Sequence, residues 1–564
     1  MIKIYDCTLR EGAQASGVTF SVHDKLRVTE LLDDIGFTYT EGGWPGANAK
    51  DTRFFEELKV LPLKRIKVVA FGRTKRPSVK AEDDSNLKAL VSTGIPYGHI
   101  FGKGWDLHLS EVLGISPEEN LESVYESIRF LKKHMGEVSF GFEHFFDAYK
   151  ENPKGAMKLI EAAVQAGVDW IDLADTNGGC FPHEVAQITS TVTGAFDIEF
   201  AVHCHNDTGC GVANTIAAVQ SGVKIVEGTI NGYSERCGMA DLCTVIANLQ
   251  LKLGYQVLEA GKLRQLTKLS QEVAELVQTE SPTFHPYVGS LAFTHKGGVH
   301  VDGFLKHRRT YEHIDPDLVG NRSNIVVSEM AGKSNLKSFL RKHRLDHVFS
   351  DTDVEGLVGV VKDLEHNGFE FNSSEESLVL MLLRRCGKSR RRIQVNGLSV
   401  CMADRLAREA VTANGGGRPA ADLTEILALD VNIELDGYFR FLTRDNVTLE
   451  RRLHFVLTGQ QASLSQLVEE FITRCIDFFP ELAGTKVADF KVRAINDRPQ
   501  RVRVVIEMSD GLRTWKMGAV NSSIANAALN AAIEALEYRL CMDNLETVLP
   551  GTSDSSQSVL VNWS

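Results

Sequence analysis

The sequence predicts an α/β fold: a (β/α)₈ TIM barrel, then a helical and mixed linker region, then a C-terminal α+β domain with a βββα-type repeat. Three observations carry this prediction. One unit recurs over residues 1–254, a short apolar β-rich run followed by a polar turn and a helical pattern. Glycines stand where the helical patterns should stop, at Gly36, Gly94, Gly136, Gly167 and Gly222, as the position after a helix prefers. Polar residues collect at the trailing ends of the strand runs, the face on which a parallel barrel builds its sites.

The strand runs fall at 2–9, 38–44, 66–73, 99–105, 137–146, 170–177, 198–206 and 225–231. Amphipathic stretches such as 22–36, 117–134, 154–167 and 240–253 lie between them. Eight strands alternating with eight helices suit a closed parallel barrel. An open doubly wound sheet is the structural alternative, but the first run lacks the G-x-G-x-x-G of a dinucleotide-binding version. Residues 262–280 read as a further amphipathic helix, with Leu263, Leu266, Leu269, Val273, Leu276 and Val277 on one stripe. The stretch 283–345, rich in His, Gly and charge, reads as a small subdomain. The basic run Arg384 to Arg392 and the cluster Gly415-Gly416-Gly417 read as a solvated connector. Beyond it, strand-like runs at 430–442 and 450–457 precede a helix at 463–478. Runs at 486–495, 501–508 and 512–520 precede a helix at 521–540. The expected division is 1–260 barrel, 261–425 linker subdomains, 426–550 a regulatory or dimerising domain, and 551–564 a Ser-rich disordered tail.

Composition narrows the function class. A formal net charge of −12 argues against a nucleic-acid or anionic-membrane partner. No run approaches the ~20 apolar residues of a membrane span, and the opening Met1-Ile2-Lys3-Ile4-Tyr5 is strand-like rather than a signal segment. Ten scattered cysteines without a C-x-x-C pair fit a reducing compartment. The expectation is a soluble, cytoplasmic protein.

The chemistry concentrates at two strand ends. In His203-Cys204-His205-Asn206-Asp207, alternation sends both imidazoles into the barrel mouth and Cys204 away into packing. Such a pair is half of a metal site, although an isolated H-x-H is as readily structural. In Asp6-Cys7-Thr8-Leu9-Arg10-Glu11-Gly12-Ala13-Gln14, alternation would put Asp6, Thr8 and Arg10 on one face, with Glu11 at the rim. A carboxylate there completes a two-His, one-carboxylate set, and the Arg10 fork can neutralise an oxyanion or a carboxylate. A plain Arg–Glu ion pair is the bland reading. Glu41, Lys103, Glu143-His144, Asp175-Thr176-Asn177 and Asn231 add polar strand ends that a purely structural barrel would not favour. Together these residues describe Lewis-acid chemistry on an oxo acid.

These motifs resemble those of the acyl-CoA Claisen synthases, the 2-isopropylmalate, homocitrate and citramalate synthases. Asp6–Gln14 resembles their D-x-T-L-R-(D/E)-G, and residues 203–207 resemble their H-x-H-N-D. Thr229 to Gly238 is similar to their G-x-G-E-R-x-G segment, and His295 to Gly303 to their subdomain motif with its catalytic His. Glu41 to Gly46, Trp105 to His108, Glu143 to Asp147 and Arg309 to Pro316 look most like the citramalate-synthase branch.

The resemblance implies a divalent metal (Mg, Mn or Zn) held by Glu11, His203 and His205, and acetyl-CoA as co-substrate. It implies that Arg10 polarises the 2-oxo group of a small 2-oxo acid, pyruvate first among them. Thr176 and Gln14 would hold the substrate carboxylate end, and Glu143 would serve the acyl-CoA side. His300 with Asp302 would do acid–base work from 283–345, completing the active site, and Tyr311 would wall the pocket. A homodimer and an amino-acid effector at the C-terminal domain are implied in the same way. Three departures stand out. Met239 occupies the place of an Asn ligand, Glu11 stands where many members have Asp, and Ser234 replaces a glycine. Met239 keeps open a non-catalytic regulatory homologue, and a synthase using another 2-oxo acid is also open.

Overall fold

The computed structural model describes residues 1–279, 282–327, 332–366, 369, 371, 374–404, 431–458, 463–495 and 501–548. Eight parallel strands close a barrel in chain order: β1 (Lys3–Asp6), β2 (Tyr39–Gly43), β3 (Lys67–Arg73), β4 (Tyr97–Lys103), β5 (Glu137–Glu143), β6 (Trp170–Asp175), β7 (Glu199–Cys204) and β8 (Ile225–Gly228). The fold is the (β/α)₈ barrel that the periodicity predicts.

Local chemistry sets the helices between strands. Val22–Ile35 opens on a capping box in which Ser21 Oγ accepts from Asp24 N at 3.2 Å and Asp24 returns a bond to Ser21 N at 2.7 Å. It ends at Gly36, whose φ of 101° suits a residue without Cβ. Pro117–Lys132 repeats the device with Ser116 and Glu119 and places proline in its first turn. Gly94, Gly167 and Gly222 take positive φ as expected, but Gly136 does not. Its N–H instead donates to Pro96 O at 2.9 Å, so it leads into β5 rather than ending a helix. Val28, Leu32, Phe54, Phe55, Val124 and Ile128 are buried in the core between helices and barrel.

Inside the barrel, Tyr5, Tyr39, Val69, Trp170, Ala201 and Ile225 form a buried apolar layer. Below it Glu137 accepts from Tyr39 Oη at 2.7 Å, Lys67 Nζ at 2.6 Å and Trp170 Nε1 at 3.2 Å. The interior is thus filled at one end and open to chemistry at the other.

The first strand departs from its sequence reading. It stops at Asp6, and the chain turns so tightly that the N–H groups of Arg10, Glu11 and Gly12 all reach Cys7 O, at 3.2, 2.8 and 3.1 Å. Arg10 therefore does not share a strand face with Asp6 and Thr8. Those two bond each other, Thr8 Oγ1 donating to Asp6 Oδ2 at 2.6 Å.

Two compact units are present: Met1–Thr294 with Glu312–Asn324, and His295–Tyr311 with the residues from Ile325 onward. The boundary runs within 283–345. In the second unit, Val431–Leu442 pairs antiparallel with Thr448–Leu457 and also with Ile393–Asp404, a strand inside the stretch read as connector. The register shift between Val395 and Gly397 breaks the alternation that would have revealed it. Each half is thus three antiparallel strands and a helix: this sheet with Leu464–Ile476, then Lys486–Ile495, Arg501–Ser509 and Thr514–Asn521 with Ile524–Val548. Phe439, Phe441, Phe471, Val504, Ile506 and Met517 belong to one buried core. Gly415–Gly417 and the tail 551–564 lie outside the described residues. No helix among the described residues is long and apolar enough to cross a membrane.

Asp33 anchors the entry to β3. Its carboxylate accepts Lys64 N at 2.7 Å, Arg65 N at 3.0 Å and Ile66 N at 2.8 Å. Burial works to raise its carboxyl, but these bonds outweigh it and hold the group below the usual carboxylate range. Asp33→Ala is expected to lower the unfolding free energy of the barrel by about 1–3 kcal/mol in urea titration. Because the folded pKa is depressed, the wild-type advantage is present above the unfolded carboxylate pKa and shrinks as pH falls through the folded one.

Candidate metal centre and substrate cavity

Strand alternation delivers the two imidazoles. His203 lies on β7 and His205 one residue beyond its end, and both side chains enter the barrel mouth while Cys204 is fully buried in packing. Their Nε2 atoms lie 3.4 Å apart. His203 Nδ1 is 3.0 Å from Glu227 Oε2 on β8, a carboxylate that orients the ring from behind. Glu11, delivered by the turn after β1, puts Oε1 3.8 Å from His205 Nε2. The same oxygen accepts from Ser234 Oγ at 2.7 Å, so the serine at a family glycine position steers this carboxylate.

The donor set fits a divalent cation. Ring nitrogens each ~2.0–2.1 Å from a common ion lie roughly 3–4 Å apart, as these do. Burial, with His203 adding to it, pushes the His205 imidazole down to about 3, which keeps it neutral. Burial works to raise Glu11, but the Arg10 guanidinium, with the Ser234 hydrogen bond helping, prevails and holds it at about 2, ionised. Both are the protonation states that metal ligation requires.

Arg10 is fixed on three sides. Nε donates to Glu41 Oε2 at 2.6 Å, Nη1 pairs with Glu11, and the guanidinium lies 3.8 Å over the Phe71 ring. Glu41 is itself held by Tyr5 Oη at 3.1 Å. Around Arg10 opens a cavity of about 280 Å³, with Trp44, Phe71 and Phe101 among its walls. Glu143 lines it on one side and is held by an ion pair at 2.6 Å to Lys103, which lies level with it on the neighbouring strand β4. Thr176 Oγ1 accepts His144 N at 2.8 Å, which leaves its hydroxyl proton available to a ligand. Gln14 lines the exposed rim.

The barrel unit therefore gathers Arg10, Glu11, Gln14, Glu143, Thr176, His203 and His205 around one cavity. In the second unit, His300 is exposed on the helix Gly298–Lys306, and its ring stacks on Tyr311 at 4.4 Å and 24°. Asp302 pairs with Lys306 Nζ at 2.6 Å. Two residues along a helix is roughly 200° of rotation, so Asp302 leaves the helix on the side opposite His300. Other polar strand ends turn out to be architectural. The Asp175 carboxylate accepts Gly179 N and Cys180 N, both at 3.2 Å. The Asn231 amide donates to Ser270 O at 2.9 Å. Met239 is buried in the apolar layer with Tyr5 and Cys7 rather than presented as a ligand.

Sequence reasoning missed His99, Asp172 and Glu227, which line the cavity floor. Burial pushes the Asp172 and Glu227 carboxyls well up and the His99 imidazole well down. His99 Nδ1 lies 2.9 Å from Ser139 Oγ, and Asp172 Oδ1 has no hydrogen-bond partner among the described residues. Their signal was a lone ionisable residue interrupting an apolar strand, as in Trp170-Ile171-Asp172-Leu173 and Ile225-Val226-Glu227. A further link is the bidentate Arg236–Asp207 pair, at 2.8 and 2.9 Å, which ties the H-x-H-N-D segment to the E-R-x-G segment.

Comparison with known proteins places this geometry. The HMGL-like family profile matches residues 1–273, and the homocitrate synthase post-HMGL domain-like profile matches 287–368. The chain is 39% identical to an (R)-citramalate synthase of Aquifex aeolicus, covering 97% of this chain and 99% of the relative. It is 37% identical to an (R)-citramalate synthase of Sulfolobus acidocaldarius over 96% of this chain and 98% of the relative. A 2-isopropylmalate synthase of the same organism is 34% identical over 67% of this chain and 94% of its own length. Full-length agreement with the first two and partial agreement with the third identify the chain as a member of the HMGL-like acyl-CoA Claisen-synthase family, in its citramalate-synthase branch.

Proposed function

We propose that this chain condenses acetyl-CoA with pyruvate to give (R)-citramalate and free CoA. The observation that carries the reading is the meeting of Glu11, His203 and His205 beside Arg10 at the mouth of the barrel. Relatives that share nearly the whole chain bear the citramalate-synthase name, and they favour pyruvate over another 2-oxo acid. A degraded, non-catalytic homologue is disfavoured by Ser234 supporting Glu11.

A divalent cation held by Glu11, His203 and His205 supplies Lewis-acid polarisation of the 2-oxo carbonyl; magnesium, manganese and zinc all suit such ligands. Arg10 stabilises the alkoxide oxygen that forms as the carbonyl is attacked, and its fixed position makes that stabilisation preorganised. Thr176 donates its hydroxyl proton to the pyruvate carboxylate, with Gln14 at the rim of the same cavity. Glu143, held by Lys103, serves the acyl-CoA side. By motif we assign His300 the acid–base role and Tyr311, which stacks on it, a pocket wall; Asp302, turned to the other side of the helix and paired with Lys306, is not given a part in the chemistry. The base takes a proton from the acetyl methyl, the resulting carbanion attacks C2 of pyruvate, and the alkoxide is protonated. Water then cleaves the thioester, releasing CoA. We further propose 1–260 as the catalytic barrel, 426–550 as the seat of an amino-acid effector, and a cytoplasmic homodimer as the working form.

The deciding assay measures thiol release from acetyl-CoA against pyruvate, 2-oxobutyrate, 2-oxoisovalerate and 2-oxoglutarate, with chiral analysis of the product. Release should be fastest with pyruvate and negligible without a 2-oxo acid. No release with any of the four refutes the synthase reading, and a strong preference for 2-oxoisovalerate or 2-oxoglutarate refutes the choice of substrate. His203→Ala is expected to lower kcat/KM by at least about 10²–10³-fold and to reduce bound metal measured by elemental analysis. His300→Ala should cost roughly 10²–10⁴-fold in kcat with metal content intact.

A further inference from the structure

Behind the His203 ring, on the side away from His205, lies a second set of donors that shares only His203 with the centre proposed for the condensation. One ligand atom from each of Cys7, His203 and Glu227 lies within 4.8 Å of the others, and all three residues are buried. Cys7 Sγ donates to Glu227 Oε2 at 3.7 Å, and His203 Nδ1 meets the same oxygen at 3.0 Å. The other carboxylate oxygen, Oε1, is buried without a hydrogen-bond partner among the described residues. A thiol, an imidazole and a carboxylate thus converge, with acceptor capacity left over. His203 and Glu227 also line the cavity, which offers an ion its approach.

The chemistry of this set differs from that of the Glu11–His203–His205 centre. A thiolate selects zinc or cadmium and discriminates against magnesium and manganese. An ion ~2.0–2.3 Å from each donor places the donors roughly 3.3–3.8 Å apart; the two separations to Glu227 Oε2 are 3.7 and 3.0 Å, and the third is within 4.8 Å. His203 is shared, and one neutral imidazole has one lone pair. When Nδ1 carries the proton toward Glu227, Nε2 is free for the upper centre. When Nδ1 binds an ion, the proton moves to Nε2 and the upper centre loses a ligand.

We propose that Cys7, His203 and Glu227 form an inhibitory site for a thiophilic divalent cation, zinc or cadmium, in competition with the upper centre for His203. On binding, the Cys7 thiol and the Glu227 carboxyl release their protons to solvent, the sulfur and a carboxylate oxygen bond to the ion, and the His203 proton shifts between ring nitrogens; no oxidation or reduction is involved. The inference rests on the synthase reading for its effect on activity, but not for its occupancy.

The test uses the full-length protein with Cys210→Ser, Cys237→Ser, Cys386→Ser and Cys401→Ser, which removes the exposed and half-buried thiols among the described residues together with Cys401. Cadmium is titrated in while the ultraviolet thiolate-to-cadmium charge-transfer band is followed, and citramalate formation is measured in parallel with manganese present. The band should rise with one equivalent and be lost in Cys7→Ser. The cadmium concentration for half-inhibition should rise at least about tenfold in that variant. Cys7→Ala replaces Cys7→Ser if circular dichroism shows that serine disturbs folding. An undiminished band in the Cys7 variant, or no band in the parent, overturns the proposal. A Cys7-dependent band in a protein that never condenses leaves this site standing and refutes the synthase reading; a condensing enzyme whose band ignores Cys7 does the reverse.

Discussion

At the mouth of the barrel two imidazole nitrogens face each other across 3.4 Å, with the Glu11 carboxylate 3.8 Å from one of them. Nitrogens brought together in this way can share a proton or bind a common metal cation, and the surrounding structure keeps them so placed. Glu227 fixes the His203 ring from behind, Ser234 steers Glu11, and the Arg236–Asp207 clamp ties together the loops that follow β7 and β8. The barrel below is plugged by Tyr5, Tyr39 and Trp170. That plug gives the centre a rigid floor and confines the chemistry to one end.

Arg10 is the second fixed point. A buried guanidinium is costly unless well paired, and this one is satisfied by Glu41, Glu11 and the face of Phe71. The pairing does two things at once. It keeps Glu11 ionised against its burial, as a metal ligand must be, and it holds a positive charge where an alkoxide would form. Carboxyls deeper in the barrel lack such a partner, and burial drives Asp172 and Glu227 upward instead. One interior therefore holds carboxyl groups of opposite character, separated by their distance from Arg10 and by depth.

Much of this was legible beforehand. The eight strand runs, the helix-ending glycines and the inward pair His203 and His205 follow from periodicity, since period-2 alternation in a strand is nearly rigid. Arg10 and Glu11 were recognisable as a motif, but alternation misplaced Arg10 because the turn onto Cys7 O ends the strand early. Glu227, Asp172 and His99 escaped notice because each sits within an apolar run, where a single polar residue resembles noise until the barrel closes and brings neighbouring strands into register. The strand Ile393–Asp404 escaped because its bulge disrupts alternation just after a basic run. Ser234 looked like a minor departure, and its bond to Glu11 required the fold.

The account stands or falls on a shared cation. Crystals grown with manganese and measured at a wavelength giving strong anomalous signal test it directly. The account predicts one dominant anomalous peak within about 2.0–2.3 Å of Glu11 and of both histidine Nε2 atoms. A manganese-loaded crystal of the catalytically competent protein with no peak there, or with the two rings turned apart around ordinary water, would contradict it.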